Sequence, residues 1–334
     1  MITSPARSVL VTGGGGYVGA VLVPKLLAGG HRVTVLDLFI YGADVLDAVK
    51  DNPNLRLVRG DIRNGDAVDQ ALAGCDTVIH LACISNDPSF ELDPALGKSI
   101  NLDAFRPLVR AAKRAGVNRF IYASSSSVYG IKEGVEVTED LELEPLTDYS
   151  RFKADCERIL EEERGPNFHT LTIRPATVCG YSPRQRLDVI VNILTNYAVN
   201  KGQIRVLGGT QLRPNVHIDD MCAVYLLALA LPGEQIDGGI YNVGCENHTV
   251  MQLAEMVRAE VGPKVTLNVE PTNDPRSYHI SSAKVLKNLG FRTERRIEDA
   301  VRDLVGAFAD GRLPNSFDDP RYYNIRVMQD INLR

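Results

Sequence analysis

The stretch VLVTGGGGYVGA, Val9–Ala20, decides the fold. Its first residues are apolar or β-branched and read as a buried strand, and its last open a helix with apolar residues at helical spacing. Between them Gly13, Gly16 and Gly19 stand three apart. At that spacing the first glycine permits a tight turn and the second lets backbone N–H groups approach a pyrophosphate. The third lets the helix sit close to the strand, its N-terminus aimed at the phosphates. Gly14 and Gly15 leave the register slightly open, and the spacing alone also fits a flexible connection.

The next elements give the loop its context. HRVTVLDL reads as a second strand and ends at Asp37, 18 residues past Gly19. A carboxylate there accepts from a ribose 2′-hydroxyl and repels a 2′-phosphate, which favours NAD over NADP. LRLVRGDI is a third strand; its Asp61 either reaches the adenine or only caps the following turn. The strands DTVIHLA, RFIYASS and HTLTIRPA follow, separated by helical stretches at 65–74, 96–116 and about 149–164. Continuous apolar strands alternating with helices mean a parallel sheet covered on both faces. From about Gly180 the pattern loosens. Helices are expected near 188–200, 218–231, 249–261, 281–289 and 297–310, with short strands IRVLGG, IYNVG and KVTLNVE among them. This divides the chain into 1–178, a dinucleotide-binding domain, and 179–334, mainly a substrate lobe with segments returning to the main sheet. The aromatic-rich tail SFDDPRYYNIRVMQ is expected to pack on the body.

Bulk composition narrows the classes. The chain has 334 residues, 44% apolar and 24% charged, with a net charge of −5, which gives no reason to expect nucleic acid as a partner. No apolar run approaches a membrane span, and the start has no stretch long enough for a signal peptide. Six scattered cysteines without a CxxC pair read as reduced thiols, so the expected compartment is the cytoplasm and no metal site is indicated.

DYSRFKADCERILEEE, from Asp148, places Tyr149 and Lys153 on one helical face. An ammonium near a phenol favours the phenolate, a competent base for a sugar hydroxyl. Tyr197 and Lys201 repeat the spacing in YAVNK but lie in the looser half, where they read as an ordinary helix end. Tyr149 instead follows, by 24 residues, Ser125 in the serine-ended strand YASSSSVYG.

TGGGGYVG, HLACIS, YASSSSVYG, YSRFK, TIRPATVCG and RPNVHIDD occur in an order that resembles the extended short-chain dehydrogenase/reductases, and within them the nucleotide-sugar epimerase/dehydratase branch. The resemblance covers nearly the whole chain. It implies a Rossmann-type doubly wound parallel sheet with a smaller α/β C-terminal substrate lobe, and a bound nicotinamide. NAD would be cradled by Gly13, Gly16, Tyr17, Val18 and Gly19, with Asp37, Asp61, Ile62, Leu81, Ala82, Tyr149 and Lys153. It also implies a catalytic set of Ser125, Tyr149 and Lys153. Tyr149 takes a proton, Ser125 hydrogen-bonds the sugar oxygen as it becomes a carbonyl, and Lys153 tunes the phenol and holds the nicotinamide ribose. A homodimer through helices near 97–115 and 150–164 is implied as well.

Relatives that eliminate water carry an acid pair where this chain has Ser126 and Ser127. A hydroxyl is too weak a base to remove a sugar C–H proton unaided. A 4,6-dehydratase is therefore disfavoured, leaving a 4-epimerase first and a 4-ketoreductase second. A 3,5-epimerase using Cys179 or Cys83, and a non-catalytic NAD sensor, stand lower; buried cysteine is the commoner reading of both thiols. For the nucleotide-diphosphate sugar, Arg213 matches an arginine that grips the diphosphate in relatives, although Pro214 and Asn215 replace the residues that usually follow. Arg276 is a second candidate cation. Ser85, Asn86, Ser126, Ser127, Thr177 and Cys179 are expected near the sugar. Arg184 and Arg186 either close over the nucleotide or sit on a solvated loop.

Overall fold

The computed structural model describes residues 6–85, 87–132, 134–272 and 277–331. In the first half the expected alternation is present. Strand β1 (Ser8–Thr12) leads through the glycine loop into α1 (Gly19–Ala28), then β2 (Arg32–Asp37), β3 (Leu55–Arg59), α2 (Gly65–Leu72) and β4 (Thr77–His80). Short helices α3 (Asp87–Glu91) and α4 (Pro94–Lys98) precede α5 (Phe105–Arg114), β5 (Arg119–Ala123) and the two-residue β6 (Glu136–Val137). Then come α6 (Asp148–Glu162) and β7 (His169–Pro175). The single helix expected over 96–116 is broken. Ser99–Asp103 forms a π-helical turn between α4 and α5. There the Asn101 side chain exchanges two hydrogen bonds with the Ile84 backbone, at 2.8 and 3.0 Å, a competing partner of the kind that distorts a helical ladder.

The second half begins with β8 (Thr177–Cys179), α7 (Ile190–Lys201), β9 (Gln203–Leu207), β10 (Leu212–His217) and α8 (Ile218–Ala230). It continues through α9 (Gly233–Ile236), β11 (Gly239–Val243), β12 (Glu246–Thr249), α10 (Val250–Val261) and β13 (Thr266–Glu270). It closes with β14 (His279–Ile280), α11 (Ala283–Leu289), α12 (Ile297–Ala309) and α13 (Asn324–Asp330). The main sheet has seven strands in the order β11-β7-β5-β4-β1-β2-β3, all pairings parallel. The chain reverses direction across the sheet between β1 and β4. In open sheets such a switch point leaves a crevice beyond the strand ends, where ligands bind.

Burial explains why the strands read as continuous apolar runs. Val9, Leu10 and Val11 have no exposed surface, and burying each such side chain is worth about 1.5–3 kcal/mol. Val9 and Val11 pack with α1 and α8 on one face, and Leu10 with α2 and α5 on the other. The second-half elements β11 and α8 thus belong to the main body. The smaller lobe has its own core between α7, α10 and α12, flanked by the three-stranded sheet β12-β10-β8 and the pair β13-β9. The tail packs as expected: Tyr322 and Tyr323 are buried with Leu187, Leu304 and Leu313. Among the described residues, no helix is long and apolar enough to cross a membrane.

Candidate active site

A cavity of about 710 Å3 opens at the switch point, between the strand ends and the smaller lobe. The glycine loop forms its floor. Gly13 has φ +75°, and a Cβ there would lie 2.6 Å from the Ala82 backbone nitrogen. A Cβ on Gly19 would lie 2.5 Å from Gly14, so glycine is what lets α1 approach the strand. The start of α1 has no side-chain cap and borders the cavity, which leaves its N-terminus available to a ligand. Gly13, Gly16, Tyr17, Val18, Gly19, Asp37, Asp61, Ile62, Leu81 and Ala82 all line the cavity.

Asp37 is held by N–H groups of Gly15 at 2.9 Å and Phe39 at 2.7 Å. Burial pushes its carboxyl above the usual range, and these two bonds oppose the shift. Asp61 caps the turn that follows it and also lies on the cavity wall. It accepts from the Arg63 backbone at 2.8 Å and pairs with the Arg63 guanidinium. The Tyr17 phenol donates to the Gly180 carbonyl at 2.7 Å, so its hydroxyl ties the two halves together. His80 donates or accepts with Thr12 at 2.7 Å beneath the loop. Burial, with the Lys153 charge adding to it, lowers its pKa to about 3.

The four serines divide their work at the end of β5. Ser124 is buried and donates to Glu157. Glu157 pairs with Arg174, whose Nη1 donates to the Tyr129 phenol at 2.7 Å. Tyr129 in turn donates to Asn242 of β11 at 2.8 Å, completing a buried chain beneath the site. Ser125 and Ser127 hydroxyls lie 2.8 Å apart, and the Ser126 hydroxyl lies 3.5 Å from the Tyr278 phenol. Ser125, Ser126 and Ser127 line the cavity together with Tyr149 and Lys153.

The Thr147 side chain caps α6 in a capping box with Ser150, which sets Tyr149 in the first turn and Lys153 one turn on. The Lys153 ammonium is buried, donates to the Ala123 carbonyl at 2.6 Å and lies 5.9 Å from the Tyr149 ring centroid. Burial pushes the Tyr149 phenol well above its usual value, with Cys83 and Asp87 acting the same way. Arg186 and a hydrogen bond with Ser125 oppose the shift.

Other expectations divide. Ser85, Thr177 and Arg213 line the cavity, as do Cys83, Arg184 and Arg186. Arg213 is on strand β10, opposite His248 of β12, rather than on a loop. The placement of Cys179 is corrected: it is fully buried in the smaller lobe's core, and its Sγ donates to the Val216 carbonyl at 3.4 Å. Its neighbour Val178 faces the cavity instead, as alternation along a strand requires. Burial also pushes the Cys179 thiol up, away from acid–base use. Arg184 is 3% exposed and Arg186 is paired with Asp188 at 2.9 Å, so the solvated-loop alternative is set aside. Tyr197, read as an ordinary helix end, borders the cavity and packs edge-on to Phe317 at 5.0 Å. Asn86 and Arg276 lie outside the described residues.

Sequence reasoning missed Tyr41, Asp87, Asp188, Tyr278 and Asn324, all on the cavity wall. Asp87 accepts from the Thr147 hydroxyl at 2.7 Å; its place two residues past the stretch HLACIS was the available signal. The others carry no local pattern.

Strand order, glycine cradle and the serine–tyrosine–lysine group together define a dinucleotide-dependent enzyme of the extended short-chain dehydrogenase/reductase class. Residues 9–244 match the NAD dependent epimerase/dehydratase family, and the chain belongs to that family. Over 327 residues it is 30% identical to the dTDP-glucose 4,6-dehydratase of Streptomyces niveus, covering 91% of this chain and 93% of that one. It is 26% identical over 314 residues to the UDP-glucose 4-epimerase of Lactobacillus helveticus, covering 88% and 94%. Among solved structures it is similar to DesIV, the dTDP-glucose 4,6-dehydratase of Streptomyces venezuelae with NAD and TYD bound. The TM-score is 0.83 at 26% identity, over 94% of this chain and 99% of that one. The cofactor is NAD, and the neutral glycine cradle with Asp37 beside it fits that molecule.

Proposed function

We propose that the protein is a nucleotide-diphosphate-sugar 4-epimerase working through a transient 4-keto sugar. The observation that carries this reading is the pairing of Ser125, Tyr149 and Lys153 in one cavity with hydroxyls, Ser126 and Ser127, where elimination needs carboxylic groups. When bound, the nicotinamide supplies the means to remove a hydride from C4 and return it. Tyr149 takes the C4 hydroxyl proton, and later returns it. Ser125 donates to the sugar oxygen as its bond to carbon becomes double, and releases it on the way back. Lys153, with its ammonium between the two tyrosine rings at 122 and 149, favours the phenolate that burial disfavours. Arg213 and Gln211 line the substrate side of the cavity, where the sugar nucleotide's diphosphate is read to lie.

The feature most favourable to a dehydratase is Asp87, whose charge acts on Tyr149, together with the 30% identity to a dehydratase. Elimination needs both a base and an acid near C5 and C6; one carboxylate that already accepts from Thr147 supplies at most one of them. The alternative on the same residues is reduction of a 4-ketosugar made elsewhere. We place the protein in the cytoplasm, with all six cysteines free, and read the outer faces of α5 and α6 as its homodimer surface.

The purified protein is tested for retained NAD, then incubated with UDP-, dTDP- and GDP-sugars and their 4-keto forms, with and without NAD(P)H. Product from an unmodified sugar without added reductant supports the epimerase. Turnover only of a ketosugar with NAD(P)H replaces it with the reductase.

A further inference from the structure

Arg184 stands apart from the serine–tyrosine–lysine group and has donors that no described residue satisfies. Its guanidinium carbon lies 3.5 Å from the centroid of the Tyr41 ring, and its Nη2 donates to Asn324 Oδ1. Its Nε and Nη1 are buried with no hydrogen-bond partner among the described residues. Buried donors are costly when unpaired, and a charged group more so. Burial holds the group's pKa down at about 10, which still leaves it cationic at neutral pH.

The surroundings say what would satisfy it. The segment carrying Arg184 is strapped across the glycine loop. Ser182 Oγ donates to the Tyr17 carbonyl at 2.8 Å, and the Tyr17 phenol returns a bond to the Gly180 carbonyl at 2.7 Å. Arg184 follows Ser182 by two residues, lines the same cavity as Gly13, Gly16 and Asp37, and acts electrostatically on Asp37. From Val9 to Ala20 the loop contains no cationic residue. It therefore offers a dinucleotide's doubly charged diphosphate only backbone groups and the dipole of α1. The neighbouring Arg186 is engaged with Asp188. Arg184 is held in place from the tail. Asn324 is 2% exposed, its backbone N–H donates to Asp188 at 3.1 Å, and its side-chain amide donates to the Ser85 hydroxyl at 2.8 Å.

We infer that Arg184, positioned by Asn324 of the C-terminal segment, grips the diphosphate of the bound dinucleotide from the side opposite the glycine loop. The inference rests on reading this cavity as the dinucleotide site and not on which sugar reaction takes place there, so the two stand or fall separately. It makes the tail a part of the cofactor site: α13 begins at Asn324, and its Asn324 and Met328 line the cavity.

The test uses full-length wild type, Arg184→Ala, Arg184→Lys and Asn324→Ala. NAD released per chain on acid denaturation is measured. NAD-stripped protein is then titrated calorimetrically with ADP-ribose, adenosine and UDP. Arg184→Ala is expected to weaken ADP-ribose at least about tenfold while adenosine and UDP bind as before. Arg184→Lys should fall between, since it keeps the charge and loses the fork, and Asn324→Ala should lose a smaller share. Unchanged ADP-ribose affinity in Arg184→Ala overturns the inference. So does a loss confined to UDP, which would assign the guanidinium to the substrate's diphosphate. If Arg184→Ala does not fold, Arg184→Lys decides by the same comparison: ADP-ribose and adenosine affinities that move together would overturn it.

Discussion

The glycine loop and the segment Gly180–Asp188 meet at one cavity and are built on opposite plans. The loop works with backbone: its shape follows from excluded volume, since a Cβ at Gly13 or Gly19 would collide with neighbouring main chain. The segment works with side chains: Ser182, Arg184 and Asp188 are fixed by partners elsewhere, and Arg186 by Asp188 within the segment. A backbone cradle is specified by spacing over a dozen residues. A side-chain cover is specified by pairs such as Arg184 and Asn324, 140 residues apart. The first plan permits little variation, whereas the second can be retuned one residue at a time.

Substitutions on the two sides test that contrast. Tyr149→Phe should have the largest effect, cutting turnover by about 10²–10⁴ while retained NAD stays near wild type, because the phenol acts on the sugar and the cradle holds the cofactor. Glu157→Gln breaks the buried pair with Arg174 and leaves a charge without its counter-ion. Urea unfolding should show a loss of about 3–5 kcal/mol, larger than any single change on the exposed faces of the smaller lobe. Gly13→Ala puts a side chain at φ +75° and 2.6 Å from Ala82. It should cost about 1–3 kcal/mol and empty the protein of NAD on purification, so retained NAD at the wild-type level would break the contrast. The last effect appears only in acid. His80 has a folded pKa of about 3 against an ordinary 6.5, so the unfolded chain takes up the proton first as pH falls. Stability should then drop by about 1.4 kcal/mol per pH unit between those values, and His80→Asn should remove that part of the slope.

The same contrast explains what was legible in the sequence. The main-sheet strands were readable because residues such as Val9, Leu10 and Val11 are buried on both faces and leave a continuous apolar run. The helices of the smaller lobe were readable from their period. The strands β8, β10 and β12 were not, being three to six residues long, with Pro214 inside one of them, and paired only through contacts distant in sequence. Side-chain direction failed at the same place. Cys179 and Val178 differ by one residue, and strand parity sends one to the core and the other to the cavity. The serine row and Tyr149–Lys153 were legible because strand end and helix start bring them together locally. Tyr41, Asp87 and Asn324 reach the site from three separate segments, and no periodicity announces them.

The central claim is that a hydride leaves C4 and comes back to C4. Incubating the protein with sugar nucleotides deuterated at C4, without added NAD(P)H, tests it most directly by NMR of the product. The account predicts an epimerised sugar with deuterium still on C4. Deuterium found at C6 of a 4-keto-6-deoxy product would mean that water had been eliminated, and would contradict it.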